Sequence, residues 1–222
     1  MSCHHQHSHG VAPIPTNESQ SLNSDVLTTQ VSALNIENSP QDLAKLFKTQ
    51  TTKYQLIPEI RSDADNQFIL HIPFQGSVKL YSIILRTARH PNHCPRTIKL
   101  YKNQPSLDFD SVGTTKATHE IEHPQIGVEF DDDLPEEFVA EDTFVEHYLP
   151  RRLLTGVTSL SIFFQNNWAD DDDEVLKLYS VELRGEFTPL TKDPVVTLYE
   201  SAANPADHKN MLSQETKNYQ NL

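Results

Sequence analysis

A long extended run near the C-terminal end of the chain dictates most of what the fold can be. Within residues 174–188 the apolar side chains recur at odd positions, namely Val175, Tyr179, Val181 and Leu183. β-Branched and aromatic residues in alternation are typical of a strand with a buried face. Gly185 indicates a bulge or a close backbone approach, and Pro189 and Pro194 prevent the ladder from continuing. A long strand that completes a sheet is therefore predicted.

Further strands are predicted upstream of this run. Residues 96–102 alternate, with Ile98 and Leu100 facing inward, and residues 158–165 place Leu160, Ile162 and Phe164 inward. A third strand, residues 67–72, should end at Pro73 because proline cannot donate to a ladder.

Residues 77–86 are apolar on both faces, which predicts a central strand covered on both sides. Simple alternation assigns Val78, Leu80 and Ile84 to one face. It assigns Tyr81, Ile83 and Leu85 to the other.

One short helix is predicted, and longer helices between strands are missing. Ser39 is a suitable N-cap, Pro40 fits the first helical position, and Leu43, Leu46 and Phe47 share a face. Without helices of ten or more residues between the strands, a parallel βαβ sheet is disfavoured. The fold class is therefore all-β, an antiparallel sandwich with polar tails.

Composition excludes several classes of function. A net charge of −13 over 222 residues argues against nucleic-acid binding, which needs clustered Lys and Arg. The sequence contains no apolar run of 18 residues and no secretory pattern, so no membrane association is predicted. The cysteines, Cys3 and Cys94, do not form a disulfide framework, so a cytoplasmic and nuclear location is expected.

Two acidic segments interrupt the strands, at residues 129–142 and 170–174, and hold 13 of the 31 acidic residues. Their spacing does not match a calcium loop, so solvated loops are expected. Phe130, Phe138 and Phe144 leave room for docking of a basic partner at the first loop.

No recognised catalytic motif is present, and neither a catalytic residue nor a cofactor is predicted. His93 and Cys94 are adjacent, but consecutive side chains of an extended chain point in opposite directions. Nucleophile elbows, phosphate loops, Cys-x-x-Cys dithiols and zinc helices are all missing from the sequence. The sequence therefore predicts a protein that is not an enzyme.

Two features are candidates for binding. Trp168, the sole tryptophan, follows a strand beside polar amides, where it either stacks on a sugar or partner or covers the core under a loop. The N-terminal tract contains four histidines within nine residues, and either chelates metal or is a plain polar tail: His4, His5, His7 and His9.

Several motifs together resemble the PITH domain, named for the proteasome-interacting thioredoxin. The first are residues 62–65 (SDAD), 71–74 (HIPF), 100–103 (LYKN), Pro105 and 108–110 (DFD). Residues 183–186 (LRGE) and 203–208 (ANPADH) complete the set, which spans roughly residues 20–208. The resemblance is to family members without a thioredoxin domain.

This resemblance implies a jelly-roll β-sandwich like galactose-binding domains, and a non-catalytic adaptor associated with the proteasome regulatory particle. The predicted organisation is a His-rich disordered tail over residues 1–19, the PITH domain over 20–194, and a C-terminal tail over 195–222. The tentative partner-binding residues are Asn204, Pro205, Asp207, His208 and Trp168. The alternatives are carbohydrate or small-ligand binding at the loop mouth near Trp168, and metal handling by the N-terminal histidines.

Overall fold

Eight strands and two short α-helices make up the part of the chain that the computed structural model describes, residues 15–129 and 133–189. The strands are β1 Ser32–Leu34, β2 Ile60–Arg61, β3 Phe68–Thr87, β4 Thr97–Lys102, β5 His119–Glu122, β6 Phe144–Tyr148, β7 Thr155–Phe164 and β8 Lys177–Thr188. The α-helices are α1 Pro40–Leu43 and α2 Phe109–Val112. Single 3₁₀ turns occur at Glu18–Gln20, Asn23–Asp25, Thr28–Gln30, Ala44–Leu46 and Glu141–Thr143.

Strand β3 belongs to both layers of an antiparallel sandwich. Its first half pairs with β1 and β7, and β7 continues to β4 and β5. Its second half pairs with β8 and β6, and β8 continues to β2. The inner faces of both layers contribute to one hydrophobic core. The predicted all-β class, a jelly-roll sandwich like galactose-binding domains, is confirmed.

The inward positions predicted for β4 and β7 are correct. The side chains concerned are all inaccessible to solvent: Ile98, Leu100, Leu160, Ile162 and Phe164. The Phe164 ring stacks on Phe68 of β3 with centroids 4.3 Å apart. Neither strand has a bulge in the pairing that joins them, so simple alternation describes them fully.

In β3, the alternation predicted from the sequence is wrong beyond Leu80. Leu80 pairs with Gly185 and Ser82 pairs with Arg184, so Tyr81 is an extra residue in the ladder. A bulge of this kind reverses the faces that follow it. Ile83 and Leu85 consequently join Val78 and Leu80 in the core, whereas Ile84 turns to the outer face.

The alternation predicted for β8 is wrong at Tyr179, because the strand contains a second bulge. Arg86 pairs with Ser180 and Thr87 with Leu178, which leaves Tyr179 as the extra residue. The core therefore receives Leu176 and Leu178 before the bulge, and Val181 and Leu183 after it. Tyr179 packs in a separate cluster with Leu56, Ala88 and Val128.

The predicted role of Gly185 as a site of close backbone approach agrees with the geometry. A Cβ at Gly185 would lie 2.1 Å from the carbonyl oxygen of Lys79, directly beside the Tyr81 bulge. Any larger residue at this position would push the two strands apart.

Pro73 does not end a strand, contrary to the expectation from the sequence. It pairs with Ser159, and the register shifts before the next pair, Val78 with Val157. The missing N–H of Pro73 therefore falls at the interruption of the ladder, where its loss costs little. The Pro73 carbonyl accepts the Leu27 N–H at 2.9 Å.

The predicted helix is present but short. The Ser39 hydroxyl accepts the Gln41 N–H at 3.4 Å, and Pro40 occupies the first helical position. Leu43, Leu46 and Phe47 are buried in the core, so the helix covers the sheet as expected.

The predicted boundaries of the tails, at residues 19 and 194, remain predictions. Residues 195–222 and most of residues 1–19 lie outside the described part of the chain. Thr16, within the predicted tail, hydrogen bonds to Glu146 and lies 3.3 Å from the Ser82 hydroxyl. Among the helices described, none has the length and apolar character needed to cross a membrane.

Candidate functional site

A groove of about 470 Å³ lies on the outer face of the layer formed by β8, β3 and β6. Its floor consists of side chains that the Tyr81 bulge directs away from the core. Ile84 of β3 is paired with Glu182 of β8, and Phe144 of β6 is paired with Arg86. Ile84 and Phe144 provide an apolar centre to this floor.

One wall of the groove is the N-terminal segment, residues 18–24. Its position is fixed by the Leu22 N–H, which donates to the Leu183 carbonyl at 2.8 Å. The Asn23 amide donates to the Lys48 carbonyl at 3.2 Å, which joins this wall to the opposite one. The groove thus has a defined width.

The second wall is the loop over residues 48–53, which carries two lysines. Lys53 bonds to Glu141 at 2.9 Å and lies 5.2 Å from the centre of the Phe144 ring. Burial, followed by repulsion from Lys45 and Arg86, lowers the pKa of Lys48 to about 8. The Lys48 ammonium donates to the Ile57 carbonyl at 3.1 Å.

Beside the floor of the groove, Arg86 is completely buried and anchors two loops. Its guanidinium donates to the carbonyls of Tyr54 at 3.1 Å and Phe138 at 2.6 Å, and to the Thr143 hydroxyl at 2.9 Å. The same group lies 4.6 Å from the centre of the Phe144 ring. Arg86 therefore fixes both the lysine-bearing wall and the aromatic part of the floor.

The acidic segment at residues 129–142 is partly integrated into the domain. The Phe138 N–H donates to the Tyr54 carbonyl at 3.0 Å, and its ring packs on the cluster that contains Tyr179. Phe144 is half-buried under Lys53 and Arg86. The expectation that these rings are free for docking is wrong for Phe138; Phe130 lies outside the described residues.

The groove combines an apolar floor with polar walls. Its volume falls within the usual range of ligand sites. In such sites the apolar lining contributes most of the affinity, and a few polar groups fix the orientation of the ligand. The floor offers contact area to apolar side chains. The walls offer serine hydroxyls, at Ser19, Ser21 and Ser24, to the polar groups of a ligand.

Trp168 is half-buried and engaged in internal contacts. Its indole N–H donates to the carbonyl of His123 at 2.9 Å. The Arg96 guanidinium lies 5.0 Å from the centre of its ring and also faces Glu122 and Asp170 at 3.5 and 3.6 Å. These contacts make Trp168 a brace for the loop that follows β7, with Arg96 against its ring.

Titration with galactose, fucose or N-acetylglucosamine is expected to leave the fluorescence of the chain unchanged. Trp168 is the sole tryptophan, so its emission reports directly on this loop. Its N–H is already bonded and Arg96 lies against the ring, which leaves little surface for a sugar. Arg96→Ala is the control, and its emission should shift to longer wavelength. A saturable response of the unmodified chain to a sugar would favour the carbohydrate alternative.

Cys94 and His93 do not form a nucleophilic pair. Cys94 is fully buried, and burial raises the pKa of its thiol to about 11. The His93 ring nitrogen Nδ1 instead bonds to the Val175 carbonyl at 2.8 Å. Cys94 is therefore a core residue.

The other predicted site residues lie outside the described part of the chain. They are Asn204, Pro205, Asp207 and His208 near the C-terminus, and His4, His5, His7 and His9 near the N-terminus. Within residues 15–129 and 133–189, His, Cys, Asp and Glu side chains do not gather in threes or more around a potential metal position.

The sequence analysis missed the residues that form the groove. Its walls come from residues 18–24 and 48–53, and its floor from strands further along the chain. One signal was available, because residues 77–86 are apolar on both faces and so predict a cover on the outer side. The position of Ile84 on that side depends on the Tyr81 bulge, which the sequence pattern does not reveal.

The fold has similar architecture to several solved structures, all at low sequence identity. The CBM32-1 and CBM32-2 domains from Clostridium perfringens ZmpB match with a TM-score of 0.49 and 10% identity. That match covers 74% of this chain and 35% of the other. A Streptococcus pneumoniae fucose binding module matches with a TM-score of 0.43 and 9% identity, covering 70% and 90%.

Sequence comparison gives stronger relationships. A PITH domain-containing protein of Schizosaccharomyces pombe is 31% identical over 204 residues, 91% of this chain and 90% of its own length. PITH domain-containing protein 1 of Homo sapiens is 30% identical, over 78% of this chain and 72% of its own. The family model described as the PITH domain matches residues 12–203. The chain belongs to the PITH domain family.

Proposed function

We propose that this chain is a non-catalytic protein-binding module whose outer-face groove receives an extended segment of a partner. The observation that carries the proposal is the groove itself, with Ile84 and Phe144 on its floor and two fixed walls. Two charged groups beside it, Arg86 and Lys53, are engaged in internal bonds. Such a surface suits recognition by shape and backbone contacts.

The family supports the same reading, since its members are named as domain-containing proteins rather than by an activity. For the identity of the partner, the resemblance to the proteasome-interacting module points to the proteasome regulatory particle. We propose that the chain acts as an adaptor on this complex, in the cytoplasm and the nucleus. Residues 204–208 stay a predicted second contact.

Blocking the groove is expected to weaken binding to purified proteasome regulatory particle about tenfold, which corresponds to the loss of one interface anchor. Ser24→Trp places a large ring at the groove wall, where Ser24 is exposed, so the fold should be retained. Val139→Trp is the matched control, because Val139 is 67% exposed and is not among the groove-lining residues. Surface-bound chain and soluble complex in an interferometry experiment provide the affinities.

Two outcomes would contradict this assignment. Equal affinities for Ser24→Trp and Val139→Trp would exclude the groove as the contact. Absence of measurable binding by the unmodified chain at low salt would exclude this partner. A chain ending at residue 192 separates the two candidate contacts, since loss of binding there with full binding by Ser24→Trp would assign the interaction to the C-terminal residues.

A further inference from the structure

A second surface, distinct from the groove, surrounds the loop between β6 and β7. In the described part of the chain, seven lysine and arginine side chains are each paired with a carboxylate, namely Lys45, Lys53, Arg61, Arg89, Arg96, Lys99 and Arg184. Four cations near the β6–β7 loop make no such ion pair within that part. They are Lys79, Lys102, Arg151 and Arg152, and we call them the basic patch.

Contacts on either side of the loop bring Lys79, Lys102 and Arg151 together, and Arg152 follows Arg151 in the chain. Lys79 is paired with Thr155 across β3 and β7, and the Lys102 ammonium donates to the Thr155 carbonyl. The Arg151 guanidinium lies 3.8 Å from the centre of the Tyr81 ring, and the Lys79 ammonium lies 5.5 Å from the same centre. The Tyr81 bulge therefore organises this patch as well as the groove.

Two acids lie nearby, but neither forms an ion pair with these four cations among the described residues. Glu186 is opposite Lys79 in the ladder and its carboxylate bonds to the Tyr81 hydroxyl, so it offsets part of the positive charge without pairing with a cation. Glu146 of β6 is held by Ser82 at 2.6 Å and faces Arg184. The chain carries a net charge of −13. Against this acidic background, four cations that cluster without ion pairs among the described residues are an exception, and the electrostatics of the fold do not require such a cluster.

Exposed apolar side chains accompany these cations. Leu153 is 44% exposed and Tyr148 is 40% exposed, at the two ends of the turn that contains Arg151 and Arg152. Arginine and tyrosine are enriched among the residues that contribute most to protein interfaces. An apolar residue beside a guanidinium pair suits a segment with carboxylates around a central hydrophobic side chain.

We propose that the basic patch, with Leu153 and Tyr148, binds an acidic segment of a partner protein that carries an apolar anchor. A nucleic acid is disfavoured because phosphate binding draws on six or more cations, roughly, and the remaining surface is acidic. An anionic membrane would meet the same long-range repulsion. In contrast, the carboxylates of one short peptide segment would contact only the basic patch and not the acidic surface around it.

The test uses the full chain and fluorescent twelve-residue peptides of Asp and Glu with one central Leu, measured by anisotropy. The unmodified chain should bind this peptide, and binding should weaken as salt is raised. A peptide with Asn and Gln in place of the acids should not bind. Arg152→Glu combined with Leu153→Ser is expected to reduce affinity at least tenfold, since both side chains are exposed and the fold should be unaffected.

Lys116→Glu is the matched control, because Lys116 is an exposed cation outside the patch that also forms no ion pair in the described residues. It should change affinity less than twofold, roughly, because it lies outside the contact. Equal effects of the two variants, or no binding of the acidic peptide, would overturn the proposal. Tighter binding of single-stranded RNA or of phosphatidylserine vesicles would also overturn it, in favour of a phosphate ligand.

This result is separable from the proposed groove function. Ser24→Trp should leave the affinity for the acidic peptide unchanged, and the double variant should leave the groove intact. Failure at the patch would therefore not affect the assignment of the groove, and the reverse also holds.

Discussion

Replacing Arg86 with methionine is expected to lower the free energy of unfolding by about 4 kcal/mol, because the change removes three hydrogen bonds donated by a buried charge. The Tyr54 and Phe138 carbonyls each lose a charged donor, at 3.1 and 2.6 Å, and the Thr143 hydroxyl loses a third at 2.9 Å. Relief from burying a guanidinium offsets part of this loss, but the three hydrogen bonds to a buried charge outweigh it.

Urea denaturation followed by circular dichroism measures the effect. Arg89→Met is the matched control, three positions away, since the Arg89 side chain is 56% exposed and, among the described residues, bonds to the exposed Glu129 at 3.0 Å. A surface pair of this kind contributes about 0.5 kcal/mol. Similar losses for the two variants would show that the buried network does not stabilise the fold.

The same variant also tests how the groove is built. The Arg86 guanidinium lies 4.6 Å from the centre of the Phe144 ring. It also donates to the Tyr54 carbonyl and to the Thr143 hydroxyl, which belong to two different loops. Without it, the lysine-bearing wall and the floor lose their common anchor. Hydrogen exchange should therefore increase first in residues 48–54 and 138–144.

How far the sequence predicts this molecule depends on where its ladders are regular. Strands β4 and β7 pair without interruption, so Ile98 and Phe164 could be placed in the core from alternation alone. The Ser39 cap was equally readable, because it depends on local chemistry. These elements are specified by residues within a few positions of each other.

The groove could not be predicted in this way. An extra residue at Tyr81 turns Ile84 outward, and whether a strand bulges depends on its partners, here Gly185 and Arg184. Arg86 looked like the end of an apolar run, although its burial depends on acceptors at Tyr54 and Phe138. The acceptors that hold Arg86 include two backbone carbonyls, and backbone carbonyls leave no motif in the amino-acid sequence.

A pair of histidines, His123 buried and His147 half-buried, should make the fold sensitive to acid. The His123 Nδ1 and His147 Nε2 atoms lie 2.8 Å apart, and the His123 Nε2 lies 3.1 Å from the Thr87 hydroxyl. Burial, with repulsion from His147, lowers the pKa of His123 to about 3. Burial, with repulsion from His119, lowers the pKa of His147 to about 4.

The hydrogen bonds explain why neither ring accepts a proton readily. The Thr87 hydroxyl donates to the Ile126 carbonyl at 3.3 Å, so it accepts from His123 Nε2–H. His123 Nδ1 must then accept from His147 Nε2–H. A proton added to His123 Nδ1 would place two N–H donors against each other in a buried site.

The direction of the pH dependence follows from these lowered pKa values. In the unfolded chain both histidines titrate near pH 6.5, so below that pH the unfolded state binds protons that the folded state excludes. The contribution of the two neutral histidines to the free energy of unfolding is complete above about pH 6.5, and it is lost progressively as the pH falls towards 3. Between pH 7 and pH 4 the loss should be on the order of 5 kcal/mol for the pair.

Urea denaturation at a series of pH values tests this expectation with His147→Gln, which removes one titrating ring and keeps a donor for His123. This variant should be less stable at pH 7 and should show a shallower decline below pH 6.5. His90→Gln, in an exposed loop, is the matched control and should keep the original slope. Parallel curves for all three chains would exclude the pair as the source, because linkage requires the slope to follow the number of excluded protons.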